Sequence, residues 1–381
     1  MSENRLISAL SDDEHERFRN ELQEFIEAEV KPIAAKIDRS EEFPVDLFKK
    51  IGARGWLGIP IPKEFGGAGM DNLSYIIAVE EFSRACGSTG ITIAAHTSLV
   101  EAPIYAKGTK EQREKYLIPL ARGEHLGAFG LTEPNAGSDA GGTETMVRLD
   151  GDQYVVNGSK RFITNANFAE TIIFTASHDR SKGTRGISAF IVEKDTPGFS
   201  RGAPLHKLGL KGSDTGELFF EDCRIPKENI LGKEYEGFKV FMETLDGGRI
   251  SIGALALGEA QGALDSCIKF LREHALQRSQ WHQHVIADMA TEISAARHLV
   301  YHAARLKDQG FTVTTEGAMA KLYASEACMR VTSKAIQLHG TEGATPRFPV
   351  ERMFREAKLN EIGEGTSEIQ RVVIARQILG R

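Results

Sequence analysis

The chain has 381 residues, of which 41% are hydrophobic and 26% charged, and it carries a formal net charge of −6. This length is too great for one small hydrophobic core and predicts two or three domains. The acidic balance argues against a dedicated nucleic-acid-binding protein, which would normally present a basic stripe.

The sequence also argues against a membrane or secreted protein. Residues 1–5 form neither an apolar signal core nor an Arg-rich transit peptide, and no apolar run approaches the length of a transmembrane helix. The cysteines are far apart and form no CxxC pair; they are Cys86, Cys223, Cys267 and Cys328. We therefore expect a cytoplasmic protein with reduced, mostly buried cysteines, no disulfide framework and no metal site.

The first third of the chain has the hydrophobic period of helices. One helical face carries Phe18, Leu22, Phe25, Ile26, Val30, Ile33 and Ile37. Pro44 stands where a second helix can begin, and the Gly- and Pro-rich segment 58–69 predicts an irregular loop. The helical pattern resumes over about 73–120, so residues 1–126 are predicted to form a helical domain.

The middle third changes to the pattern of strands. Asp150-Gly151 and Asn157-Gly158 are typical of hairpin turns. Short β-rich runs cover residues 153–156, 171–176, 187–192 and 217–220. An antiparallel sheet or small barrel is predicted over residues 127–232.

The last third, residues 233–381, is predicted to be helical again. Long helical patterns cover 285–307 and 317–339, and a helix of small residues fit for close packing precedes them over 255–263. Helices, then strands, then helices, without βαβ alternation, predict an α+β multidomain protein and argue against a doubly wound sheet.

One carboxylate near the end of the chain lies between two glycines. Gly363 and Gly365 flank Glu364, and glycines without a Cβ let another molecule approach the backbone closely. Glu364 is therefore a candidate general base. The alternative is a solvated turn residue that precedes a helix, and the motif alone does not exclude it.

A well-signalled helix follows this carboxylate. Ser367 and Gln370 have the spacing of a capping box, Thr366 is a second candidate N-cap, and the helical period continues up to Gly380. The free N–H groups and positive dipole end of such a helix suit an anion such as a phosphate.

Two further motifs open the β region. The loop 129–142 is rich in small and hydroxyl residues and offers N–H groups to a pyrophosphate or a ring edge. Phe162 and Thr164 are two residues apart, which on a strand places both on one face. Taken singly, each is better read as an ordinary surface loop and an ordinary strand end.

Together and in this order, the motifs resemble the acyl-CoA dehydrogenase family of flavoenzymes. The likeness covers nearly the whole chain and lies in segments 55–60, 133–139, 220–226, 245–249, 337–340 and 364–368. It implies an N-terminal helical domain, a middle β-barrel and a C-terminal four-helix bundle. This fold agrees with the order of elements predicted above.

The resemblance also implies a reaction. A base removes the α-proton of an acyl-CoA thioester while the β-hydrogen leaves as hydride to FAD, which produces the trans-2-enoyl-CoA. The family's base matches Glu364, and the position where other members carry the base matches Gly248, so Glu364 has no rival. Such a base needs a raised pKa and a dry site.

Carried over position by position, the family's binding residues fall on motifs of this chain. Flavin-binding positions match Phe129, Leu131, Thr132, Gly137, Ser138, Phe162, Ile163, Thr164, Gln280, Gln337, Gly340, Thr366 and Glu368. Acyl-CoA positions match Ser138, Asp246, Arg249 and Gly365, although Arg249 could also be a helix-surface salt-bridge residue. The resemblance further implies an electron-transferring flavoprotein as electron acceptor and a homodimer or homotetramer.

The chain departs from the family pattern at the flavin's adenine side. The segment 272–280 is shortened and lacks the usual Phe-Gly, with Arg278 as a potential substitute, and Thr341 and Ala344 replace a glycine and an aromatic. These changes predict weaker binding of FAD.

A separate departure lies at Gly363, where straight-chain enzymes often carry Tyr. A missing ring there predicts a wider pocket that admits branched or cyclic acyl groups.

Other functions remain open on sequence alone. Glutaryl-CoA-type decarboxylating relatives carry an Arg in a first-domain loop, and this chain has Gly90 there. No residue excludes an acyl-CoA oxidase. A non-catalytic acyl-CoA-binding paralogue is favoured by the altered adenine side and opposed by the intact Glu364, and visible flavin absorbance would distinguish the two.

Overall fold

A computed structural model describes residues 10–380. The described chain consists of helices, then a sheet, then helices, which confirms the predicted order. Residues 1–5, on which the expectation of no signal peptide depends, lie outside the described residues. So do the outermost residues of the predicted domains 1–126 and 233–381, whose boundaries stay predictions.

The N-terminal helices bury the predicted apolar face. They are α1 (Asp13–Phe25), α2 (Lys31–Ser40), α3 (Val45–Ala53), α4 (Asn72–Ala85), α5 (Gly87–Ala94), α6 (Ala102–Lys107), α7 (Lys110–Gln112) and α8 (Ile118–Ala121). Single π-helical turns at Ile26–Val30, Ala95–Glu101 and Arg113–Leu117 join some of them. Side-chain caps start α1 and α4, where Asp12 accepts from Glu14 and His15 and Asp71 accepts from Ser74.

The middle region is a mixed sheet. Its strands are β1 (Gly127–Gly130), β2 (Met146–Asp150), β3 (Gln153–Thr164), β4 (Thr171–Ser177), β5 (Ile187–Glu193), β6 (Phe199–Arg201) and β7 (Thr215–Pro226). The purely antiparallel expectation is wrong, because β1 pairs parallel to β4 with Gly127 opposite Thr171. The long connection between these two strands permits a parallel pair, whereas a tight hairpin would not.

Only one of the two predicted hairpin turns is a turn. Asp150-Gly151 does join β2 to β3. Asn157-Gly158 lies inside β3, where the register against β7 shifts, and a Cβ on Gly158 would stand 2.6 Å from the Cα of Thr145. Glycine is therefore needed for a bulge and a close backbone approach.

The C-terminal helices are α9 (Gly237–Glu273), α10 (Gln280–Asp308), α11 (Thr314–His339), α12 (Val350–Asn360) and α13 (Ser367–Leu379). The predicted small-residue segment of α9 packs directly on α4. A Cβ on Gly258 would stand 2.1 Å from the carbonyl oxygen of Glu80, and one on Gly262 would stand 2.3 Å from that of Arg84. Glycine thus allows the two helical regions to share one core.

The described residues also bear on the predictions about disulfides, metal sites and membrane spans. All four cysteines are buried and free. Within residues 10–380, no group of three or more His, Cys, Asp or Glu side chains is placed to hold a metal ion. No helix of this described part is long and apolar enough to cross a bilayer.

Candidate active site

The turn between α12 and α13 carries Glu364 in a strained conformation. Glu364 has φ 54° and Gly365 has φ 98°, and left-handed backbone is unfavourable for a residue with a Cβ. A Cβ on Gly363 would meet only the carbonyl oxygen of Leu359, at 3.5 Å. The side of the turn at Gly363 is therefore open.

Two buried side chains donate hydrogen bonds to the backbone of this turn. Lys321 on α11 donates from Nζ to the Gly365 carbonyl oxygen at 2.7 Å. Gln370 donates from Nε2 to the same oxygen at 2.8 Å and to the Glu364 carbonyl oxygen at 3.3 Å. Several contacts therefore determine the strained backbone.

The predicted capping box at the start of α13 is wrong. Thr366 is the N-cap and accepts from the backbone N–H of Ile369 at 3.3 Å, whereas Ser367 is the first helical residue. Gln370 is occupied by the turn, so it does not reach back to the helix start. Of the two candidate N-caps, Thr366 is therefore the one that caps the helix.

The Glu364 carboxylate lies directly against α9. A Cβ on Gly248 would stand 2.1 Å from Glu364 Oε2 and 2.9 Å from Leu99 Cδ2. The Oε2 atom is buried and has no hydrogen-bond partner among the described residues, although Glu364 as a whole is partly exposed. The absence of a side chain at position 248 thus makes room for the carboxylate.

Burial also changes the acidity of this group. Removal from water raises the pKa of Glu364 to about 7, and the nearby positive charges of Lys321 and Arg249 oppose that rise. With this pKa the group is partly ionised at neutral pH, and its ionised form is a stronger base than an exposed glutamate carboxylate. An unpartnered oxygen can accept a proton without first breaking a hydrogen bond.

Arg249 is a buried residue, so the reading of it as a helix-surface salt bridge is wrong. Its Nη1 lies 2.6 Å from Asp246 Oδ1, and Thr314 donates to Asp246 Oδ2 at 2.5 Å. Burial raises the pKa of Asp246, while Thr314 and Arg249 oppose the rise. Arg249 and Asp246 form a nearly enclosed ion pair within the helical turn that contains Gly248.

The loop after β1 is built around a buried ion pair. Glu133 accepts from the backbone N–H of Glu144 at 2.6 Å and from Lys160 Nζ at 2.6 Å. Lys160 is fully buried and also donates to Thr175 Oγ1 at 3.2 Å. The sequence motifs did not predict a role for Lys160. The local signal for it was a lysine within a β-rich segment.

The pair fixes the backbone from which the predicted flavin contacts extend. Phe129 and Leu131 are partly buried, whereas Gly137 and Ser138 are exposed, and a Cβ on Gly137 would meet nothing within 4 Å. Thr132 accepts from the backbone N–H of Arg161 at 2.8 Å, which ties the loop to β3.

The strand is irregular where Phe162 and Thr164 are predicted to share one face. The register shifts between Lys160 and Ile163, and Phe162 has φ 58° with 61% of its surface exposed. Ile163 is buried in the sheet core and can present only its backbone to a ligand. A bulge, not strand alternation, thus projects the Phe162 ring outward.

The predicted adenine-side residues form a different region. Gln280 begins α10, Gln337 and Gly340 lie at the end of α11, and all three are exposed, as is Arg278. Gln337 is sixteen residues beyond Lys321 on α11, which corresponds to about 24 Å along the helix axis. Gln337 is therefore far from the Glu364 turn, to which Lys321 donates.

Gly90 does not lie in a loop. It is buried within α5, where a Cβ would stand 1.9 Å from Ser83 Oγ. A side chain at this position would require Ser83 to move, and glycine supplies no cation of the kind that the glutaryl-CoA-type relatives carry.

Comparison with known proteins gives matches along the whole chain. Family models of the acyl-CoA dehydrogenase N-terminal, middle and C-terminal domains match residues 12–124, 128–223 and 235–379. A short-chain specific acyl-CoA dehydrogenase from Clostridium acetobutylicum is 53% identical, over 96% of this chain and 98% of that protein.

Solved structures agree with these matches. Butyryl-CoA dehydrogenase from Megasphaera elsdenii has a TM-score of 0.95 at 42% identity, covering 97% of this chain and 99% of that chain. A chain from the structure of the electron transferring flavoprotein of Acidaminococcus fermentans has a TM-score of 0.96 at 48% identity, with the same coverage.

Proposed function

This chain belongs to the acyl-CoA dehydrogenase family, and from that premise we propose which of its residues carry out the reaction. The protein is an FAD-dependent oxidoreductase that dehydrogenates acyl-CoA thioesters.

Glu364 is the proposed base for the α-proton. The observation that carries this assignment is the buried, unpartnered Oε2 held over Gly248 by a strained turn. The carboxylate takes the proton from the α carbon, and the backbone N–H of Glu364 is the proposed donor to the thioester carbonyl oxygen. Both groups belong to one residue, so one turn sets their relative position.

The residues described above fit FAD. Phe162 exposes its ring, the backbone at Gly137 is open, and Ser367 at the start of α13 has a buried Oγ without a partner in the described structure. When bound, FAD supplies the acceptor for the hydride that leaves the β carbon. Proposed contacts on the ring side are Phe129, Leu131, Thr132, Gly137, Ser138, Phe162, Ile163 and Thr164, and on the phosphate and adenine side Thr366, Glu368, Gln280, Gln337 and Gly340.

The acyl-CoA is proposed to lie between α9 and the Glu364 turn. Ser138, Asp246, Arg249 and Gly365 are its proposed contacts. A short-chain thioester is the favoured substrate, because the 53% identical relative is specific for short chains. The open side of Gly363 supports acceptance of a branched acyl group as well.

We also propose the finer arrangement and the partners. The mixed sheet closes as a barrel, and α9, α10, α11 and α13 form a four-helix bundle. An electron-transferring flavoprotein is the proposed electron acceptor, supported by the similarity to a chain from such a structure. The protein is proposed to act in the cytoplasm as a homodimer or homotetramer.

Glu364→Gln tests the central assignment. The variant should keep its flavin absorbance and lose turnover by at least about a hundredfold, because a neutral amide cannot accept the proton. Glu351→Gln is the matched control, since that carboxylate lies on α12 and pairs with Arg355 at 2.8 Å. Turnover near wild type in Glu364→Gln would remove Glu364 from the reaction, and a wild-type protein without flavin absorbance would favour the non-catalytic alternative.

A further inference from the structure

Lys321 is a buried cation next to the proposed base, and none of the sequence motifs predicted its role. The side chain is fully buried on α11, and its Nζ donates to the Gly365 carbonyl oxygen at 2.7 Å. That carbonyl belongs to the residue that follows Glu364. The ammonium is thus anchored within the strained turn itself.

A buried ammonium is costly unless an anion lies near it. Burial lowers the pKa of Lys321 to about 8, and the negative charge of Glu364 is the strongest influence in the opposite direction. The hydrogen bond from Nζ goes to the neutral carbonyl of Gly365, so that bond does not neutralise the charge. The Glu364 carboxylate is the main compensating negative charge.

Other charged groups also face this pair. Arg249 lies on α9, Glu361 follows α12, Glu368 lies in the first turn of α13, and Tyr75 on α4 is influenced by the Glu364 charge. Arg249 is the other cation near Glu364, but its guanidinium is paired with Asp246 at 2.6 Å. Lys321 is therefore the cation best placed to stabilise an ionised Glu364.

We propose that Lys321 is a positioning residue for Glu364, holding the 364–365 turn through Gly365 and keeping the carboxylate ionised near neutral pH. This inference rests on the proposed role of Glu364 as the base. An opposite charge at this range favours the charged carboxylate. Loss of the ammonium leaves a buried carboxylate with less compensation, so it takes up a proton at higher pH.

The test compares three variants of the holoenzyme. Lys321→Met removes both the positive charge and the hydrogen-bond donor. Lys321→Gln removes the charge but keeps an N–H donor on a shorter side chain. Lys334→Met is the control, because Lys334 lies on the same helix and pairs instead with Asp288 and Glu292. The acid limb of kcat/KM, measured from pH 5.5 to 9 with an artificial electron acceptor, should move upward by about one pH unit or more in both Lys321 variants.

A second measurement does not depend on activity. Holoenzyme labelled with 13C at the glutamate carboxyl carbon gives an infrared difference spectrum between each protein and the same protein with Glu364→Gln. The protonated-carboxyl band assigned in this way should titrate at higher pH in Lys321→Met than in wild type. Lys334→Met should titrate as wild type does.

These readouts separate the two proposals. Unchanged midpoints in both Lys321 variants, or an equal shift in Lys334→Met, would overturn the role of Lys321. So would a loss of activity that is uniform across pH, since that marks a merely structural role. If Lys321→Met fails to fold, the midpoints of Lys321→Gln decide whether Lys321 has this role. Full turnover in Glu364→Gln would refute the assignment of Glu364 as the base, while the infrared midpoint would still report the effect of Lys321 on the Glu364 carboxyl group.

Discussion

At the scale of single residues, the Glu364 carboxylate and the Gly248 backbone lie closer together than any side chain at position 248 would allow. The contact is at the far end of a flexible side chain, so a larger residue would displace the carboxylate rather than the helix. The position is thereby sensitive to one methyl group. Gly363, on the other side of the turn, has open space instead.

Gly248→Ala should lower kcat/KM by about ten- to a hundredfold with flavin retained, because a displacement near 1 Å of a catalytic group costs that much. Ala is a better helix former than Gly, so the fold should not weaken for local reasons. Gly253→Ala in the same helix is the control, since its Cβ would meet Val300 Cγ2 at 3.0 Å and the Ala320 backbone at 3.4 Å and 3.5 Å, and not Glu364. Equal kinetics in both variants would show that Glu364 is not held against position 248.

The open side of Gly363 predicts the substrate range. A bulkier acyl group gains about 0.8 kcal/mol for each methylene it buries, and pocket size discriminates about ten- to two-hundredfold per methylene. We expect kcat/KM for isobutyryl- or 2-methylbutyryl-CoA to equal or exceed that for butyryl-CoA. Gly363→Tyr should reverse the order. A strong straight-chain preference that Gly363→Tyr leaves unchanged would contradict this.

At the scale of elements, the adenine side is the least enclosed part of the proposed cofactor site. The turn between α9 and α10 includes Ala275 with φ 54°, and Arg278 and Gln280 beyond it are exposed. At the end of α11, Gly340 has φ 64° and nothing within 4 Å of a Cβ. Few side chains are therefore fixed in place before a ligand binds.

We expect FAD to dissociate during repeated ultrafiltration in dilute buffer, because each exposed contact must be ordered on binding. Absorbance in the flow-through measures the loss. Arg278→Ala should increase it if Arg278 replaces a missing contact. Complete retention through extended washing by both proteins would show that binding does not depend on this region.

At the scale of the whole molecule, one hydrophobic core joins the N-terminal and C-terminal helices. Phe82 of α4 and Leu257 of α9 are fully buried members of it. A buried polar network crosses the same boundary, where Arg297 on α10 pairs with Glu80 on α4 at 2.7 Å. The two regions are therefore expected to unfold together.

A second buried cluster makes this stability depend on pH. Glu259 Oε1 and Glu356 Oε2 both lie within 3.1 Å of the point where a Cβ on Gly87 would stand. Burial raises the pKa of Glu356 to about 7, and burial together with the charge of Glu356 raises that of Glu259. Two carboxylates this close in a dry site cannot both ionise without cost.

The direction in which stability changes with pH follows from which state binds more protons. Between the unfolded-chain pKa of about 4.3 and the folded pKa near 7, the folded state binds more protons, so stability falls as pH rises. We expect the free energy of unfolding to drop by roughly 3 kcal/mol over this window from Glu356 alone. Glu356→Gln should flatten the decline in urea titrations at pH 5 and 8. An equally steep decline in the variant would contradict the assignment.

Local patterns in the sequence determined the helices, the Asp150-Gly151 hairpin and the candidate base. Helical period records which face is buried, and a carboxylate between glycines before a helix is a local arrangement. The resemblance of several motifs to one family added the order of the three regions. All of these depend on residues within a few positions of each other.

Only the tertiary structure decided the parallel pairing of β1 and β4 and the bulges at Gly158 and Phe162. Each depends on a partner outside the local pattern, such as Thr145 against Gly158 or Thr171 opposite Gly127. The same holds for the room that Gly248 leaves for Glu364. A local pattern cannot show such partners, because the chain must fold before the residues that constrain each other come into contact.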